Sequence, residues 1–285
     1  MNFGIQLEPG VDNYVVMGNP VAHSRSPEIH HAFARQTGRR LRYQTLLVQP
    51  GCFPDTLAAF QAAGGRGANV TVPFKYDAFA AVAHPTPRAQ RAGAVNTVWF
   101  DAAGEAHGDT TDGVGLVRDL ARNGVRIEGA AILVLGAGGA VSGVLGDLAD
   151  LSPSGLVLAN RTLRRAAELA ERFAGAGVPV EALPYEALAG RRFDLVINGT
   201  SLSLEGRCPP LPEGILAEGA CCYDMVYGQG QTPFLQWGAA QGAAKRLEGT
   251  GMLVEQAAES FAIWHGVRPD PVPVIALLRG EGNGA

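Results

Sequence analysis

The chain has 285 residues, of which 47% are hydrophobic and 18% charged, and its formal net charge is −4. That length favours two domains over one, and the apolar fraction supplies a sizeable core rather than a disordered chain. A mild acidic balance without a lysine-arginine run excludes a nucleic-acid surface, and no apolar stretch reaches the roughly 18 residues that would cross a bilayer, so neither nucleic acid nor membrane is an expected partner. Cys52, Cys208, Cys221 and Cys222 lack CxxC spacing and read as buried or spare thiols of a reducing compartment. The opening MNFGIQLEPG has neither the basic start nor the apolar run of a secretion signal, so the expected location is cytoplasmic. The histidines show no HxxxH spacing, and no metal is expected.

Residues 14–17 (YVVM) read as a short strand that ends at the Gly18-Asn19-Pro20 turn. A helix is expected from about 28 to 37, with Ser26 as its N-cap and Pro27 at its first position. Ser24 has no such local role, and two hydroxyls at i and i+2 on this loop suit a carboxylate. His30 and His31 read as surface or core histidines of that helix. Strand 42–48, helix 53–63 and strand 67–72 follow, a βαβ alternation that predicts a parallel sheet. Thr71 and Lys75 then fall at a strand's carboxyl end, where open α/β sheets place ligands; the alternative for Lys75 is a solvated surface charge. Residues 91–100 look strand-like, and Asn96 among them is polar, needing either a structural hydrogen-bond partner or a substrate. HGDTTDGVG (107–115) reads as a polar glycine loop in which Asp112 precedes Gly113, by function or by ordinary Asx-turn chemistry. This loop marks the domain boundary, and a connecting helix is expected over 116–123.

Residues 132–140 (ILVLGAGGA) read as a buried strand running into a glycine turn, with a helix over 140–149 whose first N–H groups would face a phosphate; a plain strand-to-helix turn is the alternative. The next strand, 156–159, leads into Asn160-Arg161-Thr162-Leu163-Arg164-Arg165. An NAD-binding unit would carry an acidic residue there, roughly 20 positions beyond the glycines. Guanidinium groups instead attract a 2′-phosphate that a carboxylate would repel, so the chemistry favours NADP. Strands at 193–198 and 220–225, a helix over 232–241 opening at Thr232-Pro233, and a long helix over about 252–266 complete the pattern.

The spaced set NPVAHSRSP (19–27), NVTVPFK (69–75), AGAVNT (92–97), GDTTDG (108–113), GAGGA (136–140), NRT (160–162), YDMVYGQGQTPFL (223–235) and GTGMLVEQAAESF (249–261) resembles the shikimate dehydrogenase family across about residues 14–275. The resemblance implies an α/β protein of two domains: an N-terminal substrate-binding domain, 1–113, to which helices from 250–285 return, and a Rossmann NADP-binding domain, 114–249. It implies an oxidoreductase acting on a CH–OH group, the NADP-dependent reversible reduction of 3-dehydroshikimate to shikimate in aromatic amino acid biosynthesis by way of chorismate. By carry-over, Lys75 is the acid/base and Asp112 its partner, and Ser24, Ser26, Thr71, Asn96, Tyr227 and Gln256 contact the substrate. Gly136, Ala137, Gly138, Gly139, Ala140, Asn160, Arg161, Thr162, Arg165, Met225 and Gly249 contact NADP. The implied partner is a small molecule, handled by a monomer or homodimer.

Some positions depart from the family pattern. Thr110 stands where asparagine is usual, Arg25 where lysine is common and Gly199 where NAT or NTT is usual, and the last glycine of GxGxxG is missing. A paralogue with another substrate or a quinate/shikimate dehydrogenase therefore stays open, although Ser26 in place of threonine and the NADP-type arginine lean against quinate. A non-catalytic NADP-binding regulator is disfavoured by the retention of both Lys75 and Asp112.

Overall fold

The computed structural model describes residues 7–175, 177–228 and 230–280; residues 1–6 and the last five residues of the 250–285 range lie outside the described residues. The chain forms two compact units, one running to Gly115 and resuming at Val254, the other Leu116–Leu253.

The first unit is built from β1 (Asp12–Gly18), α1 (Ser26–Thr37), β2 (Leu41–Leu47), α2 (Phe53–Ala62), β3 (Gly65–Val70), α3 (Lys75–Ala81), β4 (His84–Pro85), α4 (Pro87–Ala92), β5 (Thr97–Phe100) and β6 (Ala106–Asp109). Its six-stranded sheet has the order β2-β1-β3-β5-β6-β4. The expected parallel pairing holds for β1 with β2 and β3, but β5 runs antiparallel to both β3 and β6. β5 and β6 form a hairpin: Asp101 Oδ1 accepts the N–H groups of Ala103 and Glu105 at 2.9 Å each, which turns the chain straight back.

Four local expectations need correction. Ser26 is the first residue of α1 and Arg25 is its N-cap, without a side-chain cap bond. Ser24 Oγ accepts the Ser26 N–H at 3.3 Å, so Ser24 does have a local structural role, contrary to expectation. Residues 91–100 are not one strand: α4 opens on Pro87 behind Thr86, whose hydroxyl accepts the Ala89 N–H, and closes at Gly93 with φ +60° before β5 begins. Residues 107–115 are likewise no simple loop; β6 takes their first part by pairing with β5, and α5 (Asp112–Arg122) starts at Asp112.

One face of the first sheet is covered by Phe53, Leu57, Phe60 and Phe74 packed on Val15, Met17 and Val70. Among the aromatic side chains against the other face, His30 is fully buried and stacks on Tyr43 with ring centroids 4.3 Å apart and planes 4° apart. Burial pushes the imidazole down to about 3, so it stays neutral.

The second unit contains β7 (Ala131–Leu135), α6 (Gly139–Ala149), β8 (Gly155–Ala159), α7 (Leu163–Arg172), β9 (Val180–Leu183), β10 (Phe193–Asn198), β11 (Leu216–Asp224), α8 (Pro233–Ala240) and β12 (Lys245–Glu248). Every pair in its sheet is parallel, in the order β12-β11-β10-β7-β8-β9. The order in which successive strands are added reverses between β7 and β10, which is the switch point of a dinucleotide-binding fold. β7 is apolar throughout because it is covered twice: Ile132 and Val134 belong to one core, Leu133 and Leu135 to the other. The chain then enters α9 (Thr250–His265), which carries it back into the first unit, and α10 (Val272–Arg279).

All four cysteines are free; Cys221 and Cys222 are buried, and burial pushes each thiol up to about 12, which keeps both protonated and inert. Among the described residues no helix is long and apolar enough to cross a membrane.

Candidate functional site

In the first unit a buried ion pair forms at the ends of two helices. Lys75 is the first residue of α3 and Asp112 the first of α5, and Lys75 Nζ donates to Asp112 Oδ2. Both are buried, so each charge depends on the other and on fixed dipoles for what water would otherwise supply. Asp112 also lies in the first turn of α5, where the helix end favours a negative charge.

Asn96 organises the surroundings. Its Nδ2 donates to Asp112 Oδ1 and to Thr111 Oγ1, each at 2.9 Å, while its Oδ1 accepts the Thr111 N–H at 2.9 Å and the Thr97 hydroxyl at 2.8 Å. Gln256, on α9, brings Oε1 to 3.3 Å from Asn96 Nδ2. Lys75, Asp112, Asn96 and Gln256 are thus gathered into one hydrogen-bonded group. Ser24 and Ser26 form a separate pair, with Ser24 Oγ donating to Ser26 Oγ at 3.2 Å. Thr71 lies just past β3, half-buried, its N–H bonded to the Met17 carbonyl at 2.9 Å. Tyr227 is half-buried in the second unit, beyond the end of β11.

In the second unit the features at the carboxyl edge of the sheet are mostly backbone. Gly136 sits at φ +110°, a conformation open to glycine, and turns the chain off β7. Gly138 caps α6, and a Cβ built on it would meet nothing within 4 Å; Gly139 and Ala140 follow as the first residues of the helix, whose leading N–H groups have no partner within the helix. A phosphate fits that cradle. At the end of β8, Asn160 Nδ2 holds the Thr162 carbonyl at 2.9 Å, and Arg161, Thr162 and Arg165 are exposed. Arg164 is committed to Glu168 at 2.7 Å on the same helix. Arg161 lies near enough to Tyr185 for its charge to offset part of the rise that burial imposes on that phenol. Exposed guanidinium groups one strand away from the glycine turn suit the 2′-phosphate of NADP.

Met225 and Gly249 meet through main chain: the Met225 N–H reaches the Asn198 carbonyl at 2.9 Å, and a Cβ on Gly249 would lie 2.8 Å from the Met225 carbonyl carbon, which explains the glycine. Gly199 has a similar reason, since a Cβ there would come to 2.5 Å from Val141 Cγ2 and 3.1 Å from Met225 Sδ.

Three members of these buried hydrogen-bond networks do not stand out in the sequence. Thr111 is buried and bridges Asn96 and Gln256; it sits inside GDTTDG, next to the more conspicuous aspartate. Ser260 accepts from Asn69 at 3.0 Å and lies four residues after Gln256, a same-face spacing that could have marked it. Asp224, fully buried, accepts from Ser203 at 2.7 Å, Thr232 at 2.5 Å, Asn198 at 3.1 Å and the Val226 N–H at 3.1 Å. It ties together the loops that leave β10 and β11. Burial raises its carboxyl above the usual range, and those donors oppose the rise.

Comparison with known proteins gives three family matches in chain order: residues 16–98 to "Shikimate dehydrogenase substrate binding domain", 119–204 to "Shikimate / quinate 5-dehydrogenase" and 249–279 to "Shikimate 5'-dehydrogenase C-terminal domain". The chain is 55% identical over 271 residues to a shikimate dehydrogenase (NADP(+)) of Alkalilimnicola ehrlichii, covering 95% of this chain and 99% of that one. It is 53% identical over 270 residues to the corresponding protein of Cellvibrio japonicus, covering 95% and 98%. Among solved structures, shikimate 5-dehydrogenase of Thermus thermophilus in complex with NADP(H) and shikimate superposes with a TM-score of 0.84 at 34% identity, covering 95% of this chain and 99% of that one.

Proposed function

This chain belongs to the shikimate dehydrogenase family, and we propose that it catalyses the reversible reduction of 3-dehydroshikimate to shikimate with NADPH. The observation that carries the reading is the buried Lys75–Asp112 pair inside the Asn96–Thr111–Gln256 hydrogen-bond group. In this reading the first unit takes the substrate and the second takes the cofactor.

NADPH, when bound, supplies the hydride to the carbonyl carbon of the substrate. The remaining chemistry is a proton at the carbonyl oxygen, and Lys75 meets that need. Its ammonium donates the proton as negative charge grows on the oxygen, and its amine takes the proton back in the oxidative direction. Asp112 orients the lysine and offers a hydrogen-bond acceptor to a neighbouring hydroxyl of the substrate. Asn96 fixes Asp112 from the other side through Nδ2, so the carboxylate is held in one orientation. Ser24 and Ser26 form a neutral hydroxyl pair for the substrate carboxylate, and Thr71, Tyr227 and Gln256 complete its contacts. Neutral donors bind the acid without burying a further ion pair, which eases release of the product.

On the cofactor side, Gly136 to Ala140 and the first turn of α6 would receive the pyrophosphate, and Arg161, Thr162 and Arg165, steadied by Asn160, the 2′-phosphate. Met225 and Gly249 would contribute further cofactor contacts. Four free thiols suit a reducing, cytoplasmic setting, and we expect a monomer or homodimer.

Initial rates with shikimate and with quinate, each with NADP+ and with NAD+, test this reading. Fast NADP+ reduction by shikimate supports it. A preference for quinate or NAD+ moves the assignment to the sister activity, and NADP+ binding without turnover on either acid refutes it.

A further inference from the structure

A ladder of alternating charges runs through the first unit beside the Lys75–Asp112 pair, and none of the roles assigned above uses it. Arg88, on α4, grips Asp109 with two prongs, Nε at 3.1 Å from Oδ1 and Nη2 at 2.5 Å from Oδ2. The same Nη2 lies 3.9 Å from Glu259 Oε1 on α9. Glu259 Oε2 is 3.9 Å from Arg268 Nε, and Arg268 Nη2 is 2.5 Å from Glu255 Oε2, one helical turn back on α9. Asp109 and Glu255 are both buried, so the ladder has a carboxylate that depends on its partners at each end.

Those two ends adjoin the site. The Asp109 carboxylate also accepts the Thr86 hydroxyl at 2.6 Å and the Thr110 N–H at 2.7 Å. Its main-chain carbonyl accepts the Asn96 N–H at 2.9 Å. Thr111 and Asp112 follow directly, and both are bonded to the Asn96 side chain. At the other end, the residue after Glu255 is Gln256. A displacement of Asp109 therefore reaches Asp112 within one turn of chain, and a displacement of α9 reaches Gln256.

We propose that Arg88 is a positioning residue for proton transfer: through Asp109 it fixes the 110–112 turn so that Asp112 meets Lys75, and through Glu259 it ties α9 and its Gln256 to the same frame. Arg88 acts through Asp109 and Glu259. The planar fork is the reason for arginine here, since a lysine supplies the charge but not two parallel bonds to one carboxylate. This proposal rests on the activity argued above.

The test is steady-state kinetics of shikimate oxidation for the wild type, Arg88→Ala and Arg88→Lys, with thermal unfolding of each. Misplacement of a catalytic group lowers turnover, so Arg88→Ala is expected to lose roughly tenfold to a hundredfold in kcat while KM for NADP+ stays within about twofold. Arg88→Lys should fall between the two, and added guanidinium at concentrations that leave the wild type folded should restore part of the Arg88→Ala rate. A folded Arg88→Ala whose kcat is within about twofold of wild type, with only its unfolding temperature lowered, overturns the proposal and leaves Arg88 a purely structural residue. Should Arg88→Ala fail to fold, Asp109→Asn, which keeps the shape and removes the charge, takes its place and is held to the same kcat threshold. A wild-type enzyme inactive on shikimate refutes the proposed function itself; an active wild type with unaffected variants refutes only the role of Arg88.

Discussion

The two units handle polarity in opposite ways. In the first, the chemistry-bearing groups are side chains, buried and bonded to one another: Lys75 to Asp112, Asp112 to Asn96, and Asn96 to Thr111 and Gln256. In the second, the corresponding edge is made of glycine backbone at Gly136, Gly138 and Gly249, with Arg161 and Arg165 exposed to solvent. Proton transfer calls for charges held still where water cannot reorganise around them, and mutual side-chain bonding supplies that. Binding a phosphate calls for N–H groups and guanidinium groups left open, which bare backbone and solvated arginines supply.

The sharpest way to break this contrast is to damage one side and look for an effect on the other. Asp112→Asn removes the charge that holds Lys75 while keeping the shape. Turnover is expected to drop by about 10²–10⁴, with the dissociation constant for NADP+ unchanged by calorimetry. An equal loss of NADP+ affinity would show that the two sets of residues are not separable.

The buried side chains of the first unit also predict an acid sensitivity. His30 is held neutral down to about 3, whereas in the unfolded chain it takes a proton near 6.5. Stability is therefore complete above about pH 6.5 and declines as pH falls toward 3, because the unfolded state binds the proton that the folded state refuses. His31 and His265, also pushed down by burial, act in the same direction. At pH 5 the His30 contribution is roughly 2 kcal/mol. Urea unfolding of His30→Phe at pH 8 and pH 5 should show that much less pH dependence than wild type, and an unchanged slope would reject this assignment.

On the cofactor side the effects are smaller because the groups are solvated. Arg161→Ala should raise KM for NADP+ by about tenfold and leave KM for NAD+ alone, measured as initial rates at saturating shikimate. Arg164→Ala should change either constant by less than about twofold, since Arg164 already commits its charge to exposed Glu168. Reversed magnitudes would exchange the roles of the two arginines.

The legibility of the sequence follows the same division. The second unit can be read locally: an apolar run at 132–135 followed by glycines has one good solution, and β7 and α6 adopt it. The first unit is less legible where long-range contacts override local pattern. The antiparallel turn of β5 into β6 depends on Asp101 catching two N–H groups, in a DAAGE stretch that carries little hairpin signal of its own. Lys75 and Asp112 stand out by motif, yet the start of α5 at Asp112 is hidden by the glycine and threonine character of GDTTDG. Thr111 and Asp224 gain much of their meaning from residues distant in the chain, Gln256 and Asn198, whereas only the four-residue spacing to Gln256 hints at Ser260.

Above all, Lys75 is assigned to move the proton and do little else. Lys75→Ala tests this most directly, comparing kcat for NADP+ reduction by shikimate with the calorimetric affinities for NADP+ and shikimate. The expected result is a kcat lower by on the order of 10³, with NADP+ affinity unchanged and shikimate affinity altered by less than about tenfold. A variant that keeps kcat within about tenfold of wild type, or one that loses NADP+ binding instead, would contradict it.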